Sequence, residues 1–312
     1  MSSVSAVNTA KTAGADRSAA TAPARRPRTF PFGLSLGGVR RRGRLAFWLA
    51  AGWLILLVLL AVFADLLPIK DYAAADFNTI RQPPGLRWPE FLGTDALGRS
   101  VLSRIIFGAR VTLAVGFVSV AVGMIVGVTL GVLAGYFRGW GEAGINIVTD
   151  TLLAIPPLVL LLGITVVLTP SLTNLIVGLA VLGTPTFIRL ARGNSLGLAK
   201  REFVAAATIL GASRRRIIWR EIVPNVMVPV STFCAEIMGV FIVAEASLSF
   251  LKLGVPPPQP SWGGMIADGY PDLATDPYLV FVPTVFLFLT VFALKVVGDR
   301  LRARVDAREG VL

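Results

Sequence analysis

Residues 200–224 read KREFVAAATILGASRRRIIWREIVP, a basic stretch that lies between two long apolar ones. Its alanine-rich first half favours a helix because alanine has the highest helix propensity, and Gly211 suits the end of that helix. Ser213 is placed to cap a second short helix, which carries Ile218 and Ile222 on one face. The pattern predicts a helix–glycine–helix unit, which we call the 200–224 module.

Three uses of the 200–224 module are compatible with its composition. Its narrow face of small side chains could dock in the groove of a partner protein. Alternatively, its basic residues could rest on lipid headgroups. A DNA-binding helix-turn-helix has the same form, but the apolar segments on both sides tether the module to a membrane, which argues against nucleic acid as a partner.

The rest of the chain has the composition of a membrane protein. Of its 312 residues, 54% are hydrophobic and only 15% are charged, and the mean hydropathy is +0.73. Soluble domains carry about 25% charged residues. The charged residues are grouped in short segments. The apolar segments between them are each long enough to cross a lipid bilayer. We predict an all-α membrane protein with six membrane-spanning helices, at residues 45–64, 111–135, 149–168, 172–190, 226–250 and 277–294.

The asymmetry of charge predicts the orientation in the membrane. With a cytoplasmic amino terminus, the inner segments hold 23 basic and 8 acidic residues, whereas the outer segments hold 7 basic and 8 acidic residues. Basic residues favour the cytoplasmic side of a membrane. We therefore expect a multi-pass protein of the bacterial cytoplasmic membrane with both termini in the cytoplasm.

Four regions follow from this pattern. Residues 1–44 form a basic cytoplasmic tail with too few apolar residues to fold alone, and we predict that it is disordered. Residues 45–110 contain the first spanning helix, an external loop and an interfacial segment. Residues 111–300 form a five-helix core that includes the 200–224 module, and residues 301–312 form a cytoplasmic tail.

Several classes of function are excluded by residues that the sequence lacks. It contains no histidine and a single cysteine, Cys234, which excludes a Ser-His-Asp triad, a Cys-His dyad, a zinc site and an intrachain disulfide. No lysine follows a glycine, so there is no phosphate-binding loop of the G-x-x-x-x-G-K-[ST] type. We therefore expect no enzyme activity, metal or cofactor on this chain, and any nucleotide must bind to another chain.

The 200–224 module resembles the coupling motif of the permease subunits of ATP-binding-cassette (ABC) importers, in which E-A-A is followed by a glycine and a later I-x-P. Here Ala205 stands where the glutamate is usual, and Glu202, one turn earlier, could substitute for it. The resemblance implies a cytoplasmic coupling helix between spanning helices 4 and 5 that contacts an ATPase subunit. The implied contact residues are Glu202, Ala205, Ala206, Ala207, Gly211, Arg214, Arg215 and Arg216.

Two outer segments resemble signatures of the dipeptide and oligopeptide (DppC/OppC-type) permeases. Residues 93–110 read GTDALGRSVLSRIIFGAR, with Ser100 in place of the family's aspartate. Residues 244–263 read AEASLSFLKLGVPPPQPSWG, with Lys252 in place of a glycine. The resemblance implies the type I ABC importer permease fold and the import of di- or oligopeptides. It also implies three kinds of partner: a second permease chain, two ATPase subunits that hold ATP and magnesium, and an external solute-binding protein.

Two alternatives remain open at this point. Related permeases that import nickel or another small solute share these motifs. An ion-coupled secondary transporter would also show six or more helices with intramembrane acids, although it would favour inverted repeats, and the sequence shows no convincing repeat.

The outer segments contain four candidate contacts with a solute-binding protein: Asp95, Arg99, Pro257 and Trp262. Residues 99–106 mix charged and apolar side chains at helical spacing, which predicts an amphipathic helix at the outer interface. The prolines within 256–260 stiffen their loop, and Trp262 is suited to anchor at the level of the headgroups. The alternatives are a structural elbow and a packed lid, neither of which contacts a partner.

Two acids lie inside the spanning segments. Glu236 and Glu245 are costly in a bilayer, and they stand nine residues apart, on roughly opposite faces of one helix. One of them could line the translocation path while the other ties helices together.

Glycines and prolines mark two further features of the spanning segments. Pro156 and Pro157 should kink the third helix, either as a gating hinge or as a simple bend. A row of glycines at every fourth residue of the second helix predicts close packing, within the chain or against a partner permease. The row consists of Gly123, Gly127, Gly131 and Gly135.

Overall fold

The computed structural model describes residues 36–86, 88 and 90–309, and it describes side chains from Arg44 to Val305 apart from residues 87 and 89. Most of the tail predicted to be disordered, and the end of the predicted carboxy-terminal tail, lie outside these residues. The described residues form helices joined by loops. Within them, extended backbone pairs at one isolated bridge, between Thr94 and Ser100.

The helices are labelled in chain order over the described residues. Short 3-10 turns occur at Ala64–Leu66 and Tyr270–Asp272, and a π turn occurs at Ile218–Ile222. The α-helices are α1 (Leu36–Val62), α2 (Val101–Phe137), α3 (Trp140–Ala154), α4 (Pro157–Val167), α5 (Leu172–Leu198), α6 (Glu202–Ile209), α7 (Arg214–Ile217), α8 (Val223–Phe250), α9 (Trp262–Gly269) and α10 (Tyr278–Glu309).

Within the described residues, five helical segments are long and apolar enough to cross a membrane. They are α1, α2, α5, α10 and the continuous run Arg214–Phe250, in which α7 leads through the π turn into α8. A sixth crossing is present if α3 and α4, which meet at an angle of 95°, form one broken span. The prediction of an all-α, multi-pass membrane protein is therefore confirmed.

The second spanning helix begins earlier than the sequence predicts. α2 starts at Val101, so the residues predicted to lie at the outer interface form its first turns. Val101, Ile105 and Ile106 are buried, and the prediction of an interfacial amphipathic helix is therefore wrong. The reason is that α9 covers this segment, where the indole Nε1 of Trp262 donates a hydrogen bond to the carbonyl oxygen of Ile105 at 3.0 Å.

The third predicted span consists of two helices. The backbone is extended at Ile155 and Pro156, between α3 and α4, because a proline nitrogen cannot donate a helical hydrogen bond. α3 is tied to α5 by the guanidinium of Arg189, whose Nη2 lies 2.7 Å from Oδ1 of Asp150. The prolines thus produce a sharp bend and not a gentle curve.

The most extensive packing in the bundle is between α2 and α5, and it depends on the glycine row of α2. A Cβ atom on Gly127 would lie 2.5 Å from the Cβ of Phe187, and a Cβ atom on Gly131 would lie 2.6 Å from the carbonyl oxygen of Ile188. The other two glycines of the row face α5 in the same way. The row therefore serves packing within the chain, which was the first of its two predicted uses.

Two apolar clusters hold the remaining elements together. The larger cluster joins α2, α4, α5 and α8 to the 200–224 module, with Phe187 and Leu179 wholly buried in it. The smaller cluster joins α1, α2, α9 and α10 around Trp262. α1 and α10 are also linked by a hydrogen bond of 3.2 Å from Nε1 of Trp53 to the hydroxyl of Thr290.

Candidate functional site

The 200–224 module consists of two short helices joined at Gly211, whose backbone has the left-handed conformation. α6 ends at Ile209, and Gly211 has a φ of 78°, a conformation that is unfavourable for residues with a Cβ atom. The amide of Gly211 donates to the carbonyl oxygen of Thr208, and the amide of Ala212 donates to that of Ala207, both at 3.0 Å. These bonds close the reversal between α6 and α7.

α7 continues into a spanning helix through a wide turn. The hydroxyl of Ser213 caps α7 by accepting a hydrogen bond from the amide of Arg216 at 3.4 Å. The π turn at Ile218–Ile222 then joins α7 to α8. Pro224 and Pro229 cannot donate helical hydrogen bonds, so the first turns of α8 have fewer backbone bonds than a regular helix. The module is therefore continuous with α8 but joined to it at a weak point.

One face of the module is seated in the bundle and the other is exposed. Ile209 and Leu210, at the tip, each expose 86% of their surface. The exposure of this pair was not predicted from the sequence, although two apolar residues directly before a helix-terminating glycine were a usable signal. The seated residues are buried in the larger apolar cluster and are Val204, Ile217, Ile218 and Ile222. A firmly seated element with an apolar, exposed tip is a surface that another chain can cover.

The predicted coupling residues lie together on this module. Glu202 is exposed in the first turn of α6, where a carboxylate suits the positive end of the helix dipole. Ala205 and Ala206 are exposed, as are the arginines at 214–216, whereas Ala207 is half-buried against the larger cluster. The exposed face is therefore small, basic and shallow, with one acid at the start of α6.

At the other end of α2, Asp95 is the centre of an ionic network. Its carboxylate accepts hydrogen bonds from Nε of Arg99 and Nη1 of Arg104, each at 2.7 Å. It also accepts bonds from the backbone amides of Leu97 and Arg99 at 2.9 Å. Arg104 lies 3.4 Å from Asp268 as well, and it is only 5% exposed. An arginine this deeply buried requires such partners.

The loop around Asp95 is fixed by close backbone contacts. Gly98 has a φ of 71°, and a Cβ atom on it would overlap the carbonyl group of Asp76. The hydroxyl of Tyr278 donates to the carbonyl oxygen of Thr94 at 2.8 Å. Ser100 caps α2 through its side-chain oxygen, a role that the family's aspartate can fill equally well. The loop is therefore a rigid elbow that starts α2.

The four predicted contacts with a binding protein have different surroundings. The side chains of Asp95 and Arg99 are only 15% and 14% exposed, which favours the structural elbow for both. Trp262 is wholly buried in the smaller apolar cluster, so the prediction of a headgroup anchor is wrong, and no surface of its ring is open to a partner. Pro257 is exposed in the outer loop and stays a candidate.

Two lysines on the outer side are held by acids. Lys252 has a φ of 61°, which explains why glycine is usual at this position in the family, and its ammonium group pairs with Asp268. Lys70 pairs with Glu90, and the hydrogen bond that the Glu90 carboxylate accepts raises the pKa of Lys70. These pairs add to the fixed outer loop.

The two intramembrane glutamates occupy different environments. Glu245 is wholly buried and accepts hydrogen bonds from the hydroxyl of Ser249 at 2.7 Å and from that of Thr112 at 3.4 Å, which ties α8 to α2. Glu236 is half-exposed, 3.1 Å from the ammonium group of Lys295 on α10, beside an apolar groove of ≈ 330 Å³. Of these two acids, only Glu236 borders open space.

The arrangement of these parts defines a class of protein. A bundle of membrane-length helices has the rigid elbow around Asp95 at one end. At the other end it has the 200–224 module, whose exposed apolar tip is suited to contact a partner chain. Among the described side chains, no group of three or more His, Cys, Asp and Glu residues is arranged to hold a metal ion. This is the architecture of a multi-pass membrane protein that leaves one surface open to another chain.

Comparison with known proteins identifies the family. The chain belongs to the family described as binding-protein-dependent transport system inner membrane component, whose sequence profile matches residues 127–310. It is 37% identical, over 83% of its length and 86% of the relative's, to the glutathione transport system permease protein GsiD of Pectobacterium atrosepticum. It is 36% identical, over 80% of its length and 82% of the relative's, to the dipeptide transport system permease protein DppC of Alkalihalophilus pseudofirmus.

The fold is also found in a solved transporter. A chain of the MetNI methionine ABC transporter, in an inward-facing conformation, matches with a TM-score of 0.51 at 21% identity, over 65% of this chain and 96% of that chain. The fold is the type I ABC importer permease fold, and the chain is a permease subunit of an ABC importer. Membership of this family decides against the alternative of an ion-coupled secondary transporter.

Proposed function

We propose that this permease subunit imports short peptides through a path that it forms with a second, similar permease chain. The support for the substrate class comes from relatives that cover most of the chain and are named for glutathione and dipeptide transport. The two outer segments that resemble the dipeptide and oligopeptide permeases form the rigid elbow before α2 and the loop between α8 and α9.

The observation that most directly supports coupling to an ATPase subunit is the exposed tip of the 200–224 module. Ile209 and Leu210 are exposed although they are apolar, and the module is seated in the bundle by Val204 before them and by Ile217 after them. We assign this surface to one of two ATPase subunits, which bind ATP and magnesium. The arginines at 214–216 surround the tip with positive charge and favour an acidic rim on the ATPase.

Force applied to the module reaches the spanning helices through α7. A displacement of α7 acts on α8, which is about 42 Å long and therefore reaches across the membrane as a lever. The π turn and the two prolines at 224 and 229 allow the angle between α7 and α8 to change at little cost. Such a change switches the path between the two sides of the membrane.

Glu236 is the residue that we assign to the translocation path. It lies on α8, the helix that the module moves, and it borders a groove between α8 and α10. Charged side chains are retained within a membrane where they face water or a partner. We assign Glu245 to structure, because its hydrogen bonds tie α8 to α2 and its carboxylate is wholly buried.

The outer loop is the surface that we assign to a solute-binding protein. Pro257 is exposed in the loop between α8 and α9. Two large apolar side chains, Leu86 and Trp88, are exposed in the loop before α2. This assignment places both termini in the cytoplasm, in agreement with the charge asymmetry of the sequence.

Uptake by reconstituted transporter tests the proposed function. The full-length chain, purified with the subunits that co-purify with it, is placed in liposomes with a labelled dipeptide and the solute-binding protein outside. We expect uptake that requires ATP on the inner side, survives collapse of proton and sodium gradients, and is reduced by unlabelled dipeptide but not by the free amino acids. Uptake that an ion gradient drives without ATP would contradict the proposal.

A further inference from the structure

Three arginines meet in a cavity between the ends of α1 and α10. The cavity has a volume of ≈ 230 Å³ and is lined by Arg44, Phe47, Trp48, Arg300 and Arg304. Arg44 and the two aromatic residues belong to α1, whereas the other two arginines belong to the last turns of α10. Nothing in the proposed transport mechanism uses these residues.

The cavity lies where the two spanning helices leave the membrane. The uncharged run of α1 begins directly after Arg44, and that of α10 ends at Leu294, six residues before Arg300. The bond between Trp53 and Thr290 fixes the two helices side by side within the membrane. From that bond, the helical rise places the three arginines about 14 to 21 Å away in the same direction. All three guanidinium groups are therefore on one side of the bundle, where the described part of α1 begins and that of α10 ends.

The charges of this cavity are uncompensated within the described part of the chain. Among the described side chains, Arg44, Arg300 and Arg304 form no salt bridge, and the nearby Asp299 pairs with Lys295 at 3.1 Å. The guanidinium of Arg304 lies 5.8 Å from the centre of the Phe47 ring, which orients it but does not neutralise it. Like charges that line one cavity repel one another, and an anion that lies between them relieves this repulsion.

The geometry points to a binding site for the phosphate group of an anionic phospholipid. We propose that the three guanidinium groups hold the headgroup phosphate. Trp48, which is 62% exposed, lies at the depth where indole rings favour the headgroup region. Basic cavities between spanning helices on the cytoplasmic side are suited to anionic headgroups, because the bilayer supplies the apolar chains and the protein supplies the charge.

The site has a structural consequence for α1. Only 17% of the apolar span of α1 is buried against the rest of the chain, compared with 50% for α2 and for α5. A headgroup held by arginines of both α1 and α10 joins the least buried span to the bundle. An anionic lipid whose headgroup is held by arginines of both helices therefore fixes α1 against α10.

Lipid titration tests the site. The full-length chain, with the subunits that co-purify, is delipidated and titrated with phosphatidylglycerol or phosphatidylcholine, and bound lipid is counted by native mass spectrometry. The variants are Arg44→Gln, Arg300→Gln, Arg304→Gln and the triple variant. Arg302→Gln is the matched control, since the guanidinium of Arg302 lies over Phe233, 4.5 Å from the ring centre, on another face of the same helix.

We expect wild type and R302Q to retain phosphatidylglycerol over phosphatidylcholine with the same affinity. Each single variant should weaken the binding of phosphatidylglycerol by roughly fivefold, and the triple variant by on the order of a hundredfold. If the triple variant does not purify in folded form, the three single variants decide the question. Unchanged binding in the variants, or an equal loss in R302Q, would overturn the proposal. Displacement of the lipid by millimolar inorganic phosphate would also overturn it, since the ligand would then be a soluble anion.

Discussion

Replacement of Gly131 by alanine measures how closely α2 and α5 must approach. A Cβ atom at this position would lie 2.6 Å from the carbonyl oxygen of Ile188, 2.8 Å from the Cβ of Ala191 and 3.0 Å from the amide nitrogen of Arg192. All three neighbours are on α5, and two of the contacts are with backbone, which cannot rotate away. To reach an ordinary contact of about 3.4 Å, the helices must separate locally by roughly 0.8 Å.

The expected change in the free energy of unfolding of G131A is the sum of two opposing effects. Alanine in place of glycine in a helix interior stabilises it by up to about 1 kcal/mol, whereas overpacking of a tight interface costs about 1–3 kcal/mol. Gly144→Ala in α3 is the matched control, because a Cβ atom there meets nothing within 4 Å and only the first term applies. We expect G131A to be less stable than G144A by about 1–3 kcal/mol, or roughly 2–12 °C in Tm for a chain of this size.

The single cysteine provides the assay. Cys234 is half-buried and has no competing thiol in the sequence, so a fluorogenic maleimide that reacts with it on heating reports unfolding. Both variants are melted in the same detergent, with the same co-purifying subunits, beside the wild-type chain, and the label on this chain alone is read after the subunits are separated on a gel. A Tm for G131A that equals or exceeds that of G144A would refute the reasoning, since the α2–α5 interface would then have room for a methyl group.

Three further predictions concern the ends of the bundle and the translocation path. Asp95→Asn leaves Arg99 and Arg104 without their shared carboxylate and should lower the free energy of unfolding by on the order of 3 kcal/mol. Asp65→Asn, at an exposed ion pair, should lower it by under about 1 kcal/mol. Equal losses of Tm in the two variants would contradict this. Gly211→Pro cannot adopt the observed φ and should abolish peptide-stimulated ATPase activity, whereas Gly211→Asn, which tolerates that φ, should keep most of it. Glu236→Gln should lower ATP-driven uptake without lowering Tm, and unchanged uptake would remove Glu236 from the path.

The spanning helices could be predicted from the sequence because a membrane imposes both length and apolarity on each segment. The cap at Ser213 and the glycine at the end of α6 were equally local signals and were found. The start of α2 was misplaced because its first turns carry arginines, which indicate an interface when their partners are unknown. Asp95 and Asp268 supply those partners, and neither contact can be read from spacing along the chain.

In the candidate sites, too, the features with a local signal could be predicted from the sequence, and the features that depend on tertiary contacts could not. Trp262 was assigned to the membrane surface by its residue type, but its burial depends on α2, whose Ile105 lies 157 residues away in the sequence. The difference between Glu236 and Glu245 followed from helical geometry, whereas the partner of each came only from packing. The arginine cavity joins residues about 260 positions apart, so its existence depends on tertiary structure alone.

Cross-linking tests directly whether the tip of the 200–224 module contacts an ATPase subunit on the cytoplasmic side. Leu210→Cys and, as a control in the loop before α2, Leu86→Cys are each made in a chain with Cys234→Ser. Membranes that contain all subunits are treated with a reagent whose maleimide reacts with the introduced thiol and whose photoreactive group then bonds to any neighbouring chain. We predict that L210C cross-links to the ATPase subunit, and that L86C does not but reacts with a membrane-impermeant maleimide in intact cells. A cross-link from L86C to the ATPase, or external labelling of L210C, would contradict the account.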